Sequence, residues 1–281
     1  MSKNIKILIA TDFTEASDNA LNYADAIFRN LHGLNVTYLL VHAFKPLVPY
    51  SNTPSMPVMK NNQLESSLKK KLDELVTDLQ NKLEGNHETK SYFEFGSLNK
   101  VIEKIIDDEQ PDLVVMGTRE KNAFARMTVG TNTMEVATTA SCPVLAVPKE
   151  AKAKDFTDMV LATDLNELNI SSHSFDLLKS LVDFEKSKLK VLHVFASDEI
   201  AQQFGNLEKT AFHQHIKDIK HDHATVVNSD VFDGIVNFVN EQRSDMLILT
   251  LSERGFLEKI FHADKTEKLV YHAEVPVLIL N

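Results

Sequence analysis

The chain has 281 residues, 43% hydrophobic and 25% charged, with no Trp. That length suits two ordinary domains with a core each. A net charge of −10 argues against general nucleic-acid binding, which wants a clustered basic face. The acidity is uneven: 16 basic against 19 acidic residues through residue 150, then 14 against 21, so the first half is the better host for an anion.

From the N-terminus, the strands expected in the first half are residues 5–11, 35–43, 90–95, 112–117 and 143–147, with helices at 15–31, 63–84, 97–109 and 126–140 between them. Most of the strands are near-continuous Val/Ile/Leu runs, as parallel strands covered on both faces require. Leu64, Leu68, Leu72, Leu75, Leu79 and Leu83 form a one-sided stripe, which reads as a helix packed on a sheet because it lasts only about three heptads. Asn62 with Glu65 reads as its capping pair. The second half expects strands near 157–163, 188–195, 224–228, 245–250 and 276–280, and helices near 167–183, 198–220, 230–243 and 257–273. Alternating strands and helices imply right-handed crossovers.

The two halves echo each other. Ile7-Leu8-Ile9-Ala10-Thr11-Asp12 is answered by Met159-Val160-Leu161-Ala162-Thr163-Asp164, and Leu40-Val41-His42-Ala43-Phe44 by Val191-Leu192-His193-Val194-Phe195. Asp112–Met116 is answered by Asp245–Leu249, and Cys142–Val147 by Val275–Leu280. The fold class is therefore α/β: two tandem doubly wound domains, residues 1–148 and 155–281, each a five-stranded parallel sheet with helices on both faces. The short charged join Lys149–Lys154 keeps the halves adjacent, so an intrachain pseudo-dimer or a homodimer is expected. Residues 44–62 carry four of the eight prolines and belong to the first half only; they read as a lid over a site or as a disordered excursion.

Cys142, the one cysteine, excludes an intramolecular disulfide and suits a reducing compartment. With no basic neighbour in sequence to activate it, it reads as a buried filler. Lys3 and Lys6 precede an apolar run far shorter than a signal-peptide core, and no segment approaches the ~20 apolar residues of a membrane helix. A cytoplasmic protein with no membrane and no nucleic-acid partner is expected.

In an open parallel sheet, ligands gather beyond the carboxyl ends of the strands where strand order reverses. Asp12 ends the first strand there, Val41 ends the second, and the fourth runs into Gly117-Thr118-Arg119-Glu120, with Gly130-Thr131-Asn132-Thr133 just inside the next helix. Gly-x-x-Gly, nine residues, then Gly-Ser/Thr resembles the nucleotide loop of the universal stress protein family, and Ser141–Pro148 resembles the family's final strand. The resemblance spans the chain as a tandem pair. It implies that Asp12 and Val41 face ribose and adenine, and that Gly117, Gly130, Thr131 and Thr133 cradle the phosphates of ATP or another adenine nucleotide, in the first domain only. Glycines let backbone N–H groups approach phosphate oxygens, and a helix start supplies partial positive charge. Arg119, Lys121 and Arg126 add charge nearby.

Glu120 departs from the pattern by replacing its second glycine. Two unit charges ~4 Å apart repel by about 4 kcal/mol at an effective dielectric of 20, so binding requires Glu120 to point outward or Arg119 and Lys121 to offset it. In the second half, Gly117, Glu120, Gly130 and Thr131 correspond to Thr250, Glu253, Ala263 and Asp264, so no cradle of this kind is expected there. Asp164 nonetheless matches Asp12, which gives that aspartate a second reading as a brace of the strand-to-helix turn.

His42 and His193 read as hydrogen-bonded structural residues. His213, His215, His221 and His223 cluster in sequence. An H-x-H pair on a strand points both rings to one face, whereas on a helix the rings splay apart; with Lys217 and Lys220 beside them a solvated helix end is expected, and no metal is assigned. Lys69-Lys70-Lys71 reads as a wet helix face. No G-x-x-x-x-G-K-[ST], G-x-S-x-G or H-E-x-x-H motif is present, no Ser-Gly-Gly-x-Asp loop marks the adenylate-forming relatives of this fold, and no nucleophile has an obvious base beside it. Three readings follow: a stress-response or regulatory module with one adenine-nucleotide site; a scaffold without nucleotide, in which strands 143–147 and 276–280 pair with each other or with another chain and function lies in an unknown protein partner; and a slow ATP hydrolase.

Overall fold

A computed structural model describes residues 3–28, 34–45, 57–82, 87–118, 131–152, 157–163, 170–185, 187–199, 201, 211–250 and 275–281. The first half contributes β1 (Lys3–Ala10), α1 (Glu15–Phe28), β2 (Leu34–Phe44), α2 (Pro57–Lys82), β3 (Glu88–Phe95), α3 (Leu98–Glu109), β4 (Leu113–Thr118), α4 (Thr131–Thr139) and β5 (Val144–Pro148). The second contributes β6 (Asp158–Ala162), α5 (Ser172–Glu185), β7 (Lys188–Phe195), α6 (Ala211–Ile216), β8 (His221–Val227), α7 (Val231–Glu241), β9 (Met246–Thr250) and β10 (Val277–Leu280).

The strands do not form two separate sheets. They make one sheet of ten, in the order β3-β2-β1-β4-β5-β10-β9-β6-β7-β8. Within each half all pairings are parallel, and the halves meet where β5 runs antiparallel to β10. Leu145 faces Leu278, the residue in the equivalent position of the other half, flanked by Ala146–Val277 and Val144–Ile279. A local two-fold therefore passes through this pair. Val144, Leu145, Ala146, Val277, Leu278 and Ile279 are all buried, so the seam is core. Each of these strands would otherwise present an unpaired edge, and joining them removes two edges at once.

Helices cover both faces. Ile5, Ile7, Ile9, Tyr38 and Leu40 pack with α1, α2, α5 and α6 on one side; Leu8, Ala10, Leu39 and Val41 pack with α3, α4 and α7 on the other. This is the alternation of successive side chains across a strand. The stripe of α2 packs as expected through buried Leu72 and Leu79, although Leu64 is exposed. The cap expected at Asn62 is displaced. The helix starts at Pro57, a residue preorganised for the first helical position, which leaves Asn62 and Glu65 inside it. Glu65 instead pairs with Lys69 at 2.6 Å, and Lys70 with Glu74 at 3.4 Å, on a solvated face. In the second half the described part of the 198–220 segment gives the short α6, and β8 begins three residues earlier than expected. Residues 126–130 of the helix expected at 126–140, the helix expected at 257–273, and the 46–56 part of the proline loop lie outside the described residues.

Candidate functional site

The carboxyl edge of the first half is built by symmetric braces and one asymmetry. Thr11 donates its N–H to Val41 O at 2.8 Å, and Thr163 repeats this toward Leu192 O at 3.1 Å. His42 Nδ1 lies 2.8 Å from Thr11 O, and His193 Nδ1 lies 2.8 Å from Thr163 O. A carbonyl only accepts, so both imidazoles carry the proton on Nδ1. His42 is buried and stacks on Phe13, with ring centroids 4.6 Å apart. Both histidines are hydrogen-bonded to the backbone, as the sequence suggested. Asp112 and Asp245 brace the opposite edge in the same paired way: Asp112 accepts from Lys6 N at 2.6 Å, and Asp245 from Asp158 N at 3.1 Å.

Strand order reverses between β1 and β4, the switch point at which an open parallel sheet takes its ligands in a crevice. The turn is strained and heavily tied. Phe13 has φ +59°, a left-handed conformation that costs an L-residue roughly 1–2 kcal/mol. Its N–H donates to Thr11 Oγ1 at 3.1 Å, the Thr14 N–H donates to Ser17 Oγ at 3.0 Å, and Ser17 Oγ donates to Thr14 O at 2.9 Å. Asp12 is exposed at the mouth, and its Oδ1 accepts from Thr14 N at 3.2 Å and Thr14 Oγ1 at 2.5 Å. Asp12 thus braces the turn, whatever else it does. The sequence signal for this device was available in Thr11-Asp12-Phe13-Thr14 with Ser17, since short hydroxyl and carboxylate side chains capture nearby N–H groups.

Gly117 sits at the end of β4, and a Cβ there would lie 2.4 Å from Ala16 O, 2.5 Å from Ala16 C and 2.7 Å from Ser17 N. The first turn of α1 is pressed against this strand so closely that only glycine fits. Its counterpart Thr250 carries a buried side chain at the same register position. Val41 is fully buried, and Thr133 is buried in the first turn of α4. Gly130, Glu120, Arg119, Lys121 and Arg126 lie outside the described residues, as do Asp164, Glu253, Ala263 and Asp264.

Helices linking parallel strands start at the edge where the preceding strand ends, so the N-termini of α1 and α4 both point to this crevice. They differ in charge. The first turn of α1 contains Glu15 and Asp18, which offset its partial positive charge. Asp18 titrates above the usual carboxylate range because of burial first, then the nearby charges of Asp12 and Glu15. Glu15 is held low by its hydrogen bond and charge contact with Lys149. The first turn of α4, by contrast, has no acidic residue. Among the described residues, an anion therefore finds a neutralised helix start at Glu15 and no acidic residue in the first turn of α4.

Cys142 is buried, and burial, with a smaller push from Asp112, raises its thiol to about 12. It fills space and is no nucleophile. Among the described residues, no helix is long and apolar enough to cross a membrane.

Two doubly wound repeats, joined through one antiparallel strand pair, define a tandem α/β protein. The universal stress protein family model matches residues 4–148 and again 159–281, and the chain belongs to that family. A putative universal stress protein of Staphylococcus aureus strain USA300 is 27% identical over 162 residues, covering 57% of this chain and 94% of that protein. The crystal structure of a universal stress protein from Archaeoglobus fulgidus DSM 4304 covers 98% of this chain and 97% of its own at TM-score 0.68 and 16% identity. A putative universal stress protein from Pseudomonas aeruginosa UCBPP-PA14 covers 99% and 92% at TM-score 0.56 and 14% identity. The last two likenesses speak to fold alone.

Proposed function

We propose that this tandem universal stress protein is a stress-response regulatory module that binds one adenine nucleotide, ATP in the first instance, in the crevice of its first half. The phosphates sit at the start of α4, over the main-chain N–H groups of Gly130 and Thr131, and Asp12 takes the ribose hydroxyls. Val41 floors the adenine end. The observation that carries this reading is the charge asymmetry between the two helix starts among the described residues: α1 neutralised by Glu15 and Asp18, α4 with no acid in its first turn. The strained turn at Phe13 beside the crevice supports it, because backbone strain gathers at functional sites. Binding acts by linkage, since a ligand held only by the folded chain stabilises it by RT ln(1 + [L]/Kd).

The alternative, a scaffold acting through partners, is narrowed by one observation: β5 and β10 pair with each other inside the chain. Both inner edges are thereby consumed, and no second chain can add there.

Thermal unfolding with ATP and magnesium tests the nucleotide reading. At a ligand concentration of 100 Kd the expected gain is about 2.7 kcal/mol. A Gly130→Asp variant should lose the shift, and Glu120→Gly should enlarge it. No shift at millimolar ATP in either the parent or the Glu120→Gly chain leaves the scaffold reading standing.

A further inference from the structure

Five strands separate β4 from β8, the last strand at the far edge of the sheet. His221 and His223 lie two apart on β8, opposite Leu189 and Val191 of β7, and so share the sheet face that α6 covers through buried Phe212 and Ile216. His213 of α6 folds over them. The three rings form a closed triangle with centroids 5.3 Å apart for His213–His221, 5.3 Å for His213–His223 and 4.9 Å for His221–His223. One nitrogen from each lies within 4.8 Å of the other two.

We propose that His213, His221 and His223 bind a divalent transition-metal ion of the class imidazole prefers, zinc before all. Zinc bonds to imidazole nitrogen at about 2.0–2.1 Å, which sets tetrahedral ligands roughly 3.4 Å apart. His213 Nδ1 and His223 Nε2 are already 3.2 Å apart. The ion takes the place of the proton between them, and that proton moves to the outer nitrogen of its own ring. His221 Nδ1 is 2.7 Å from Ile219 O, so it donates there and leaves the lone pair on Nε2. A backbone carbonyl holding the far nitrogen is the support that metal-bound histidines use to fix tautomer and ring orientation. Three nitrogens select zinc, copper or nickel over calcium or magnesium, which prefer oxygen, and leave a fourth position for water. The bound ion clips α6 to a strand that, among the described residues, has no neighbour beyond it, which both orders and covers that edge.

The test uses the full chain with any affinity tag removed. Cobalt(II) added to the parent protein should give the intense visible band of a tetrahedral site, and zinc should abolish it at one equivalent per chain. In competition with a chromophoric chelator, His221→Gln and His223→Gln should each weaken zinc binding at least ~10-fold, while His173→Gln, at a histidine bonded instead to Asp112, should leave it unchanged. Circular dichroism confirms that the variants fold. The proposal is overturned if the parent gives no tetrahedral cobalt band, a readout that needs no variant. It is equally overturned if zinc affinity is indifferent to His221 and His223, or falls as far in His173→Gln.

Discussion

Replacing Gly117 with alanine separates two jobs that one glycine can hold. A phosphate-cradling glycine matters only when ligand is present; a packing glycine matters always. The added methyl would stand 2.4 Å from Ala16 O and 2.7 Å from Ser17 N, about 1 Å inside ordinary contact. Overpacking a core costs about 1–3 kcal/mol when side chains can adjust. Here the obstacles are main-chain atoms of a helix tied down by Thr11, Thr14 and Ser17, so the upper end, about 3 kcal/mol, applies. For a chain of this size that lowers the melting temperature by roughly 6–12 °C. Denaturant and thermal unfolding of the ligand-free variant measure it. Were Gly117 merely a flexible strand residue, alanine would instead stabilise by about 0.4–1 kcal/mol through the unfolded chain. A variant as stable as the parent refutes the packing argument. A destabilised variant shows that Gly117 substitutions are poor probes of nucleotide binding, which is why Gly130 and Glu120 are the positions to change.

Further outcomes are expected from the braces. His42→Leu strips Thr11 O of its buried donor and should cost about 1–3 kcal/mol; nitrogen-detected NMR of the parent should find His42 and His193 both protonated on Nδ1. Asn281→Ala removes donors 2.6 Å from Ala140 O and 2.8 Å from Cys142 O, and should cost about 1–2 kcal/mol in urea unfolding by loosening the seam between the halves. Cys142 should resist thiol reagents until the chain unfolds. Its folded thiol, pushed up to about 12, keeps its proton where the unfolded thiol (about 8.5) has lost it. The unfolded state then binds fewer protons, so stability falls as pH rises from about 8.5 toward 12. Cys142→Ala should flatten the early part of that fall.

The strand runs, the duplication and the family were legible in the sequence because each rests on local pattern. Val/Ile/Leu runs mark buried parallel strands wherever they sit, and the second copy repeats them. The single sheet was not legible as such. Val144–Val147 and Val277–Leu280 read equally well as outer edges, and only their mutual antiparallel register decides. β8 was misplaced for a physical reason: at the sheet's edge, His221-Asp222-His223 needs no apolar side chain to stay paired, so hydrophobic pattern misses its start. That shift turned a histidine cluster expected on a solvated helix end into a strand pair facing a helix. Gly117 was legible as special but not as to cause, since a glycine demanded by helix approach and one demanded by a phosphate look alike in a sequence. Asn62 and Glu65 matched a capping pattern, but Pro57 began the helix earlier.

Calorimetric titration of the ligand-free chain with ATP and magnesium puts the nucleotide proposal to its most direct trial, because stoichiometry counts sites independently of stability. One nucleotide per chain, lost in Gly130→Asp and retained in Thr250→Ala, is the predicted result. No binding heat in the Glu120→Gly chain, or two equivalents per chain, would contradict it.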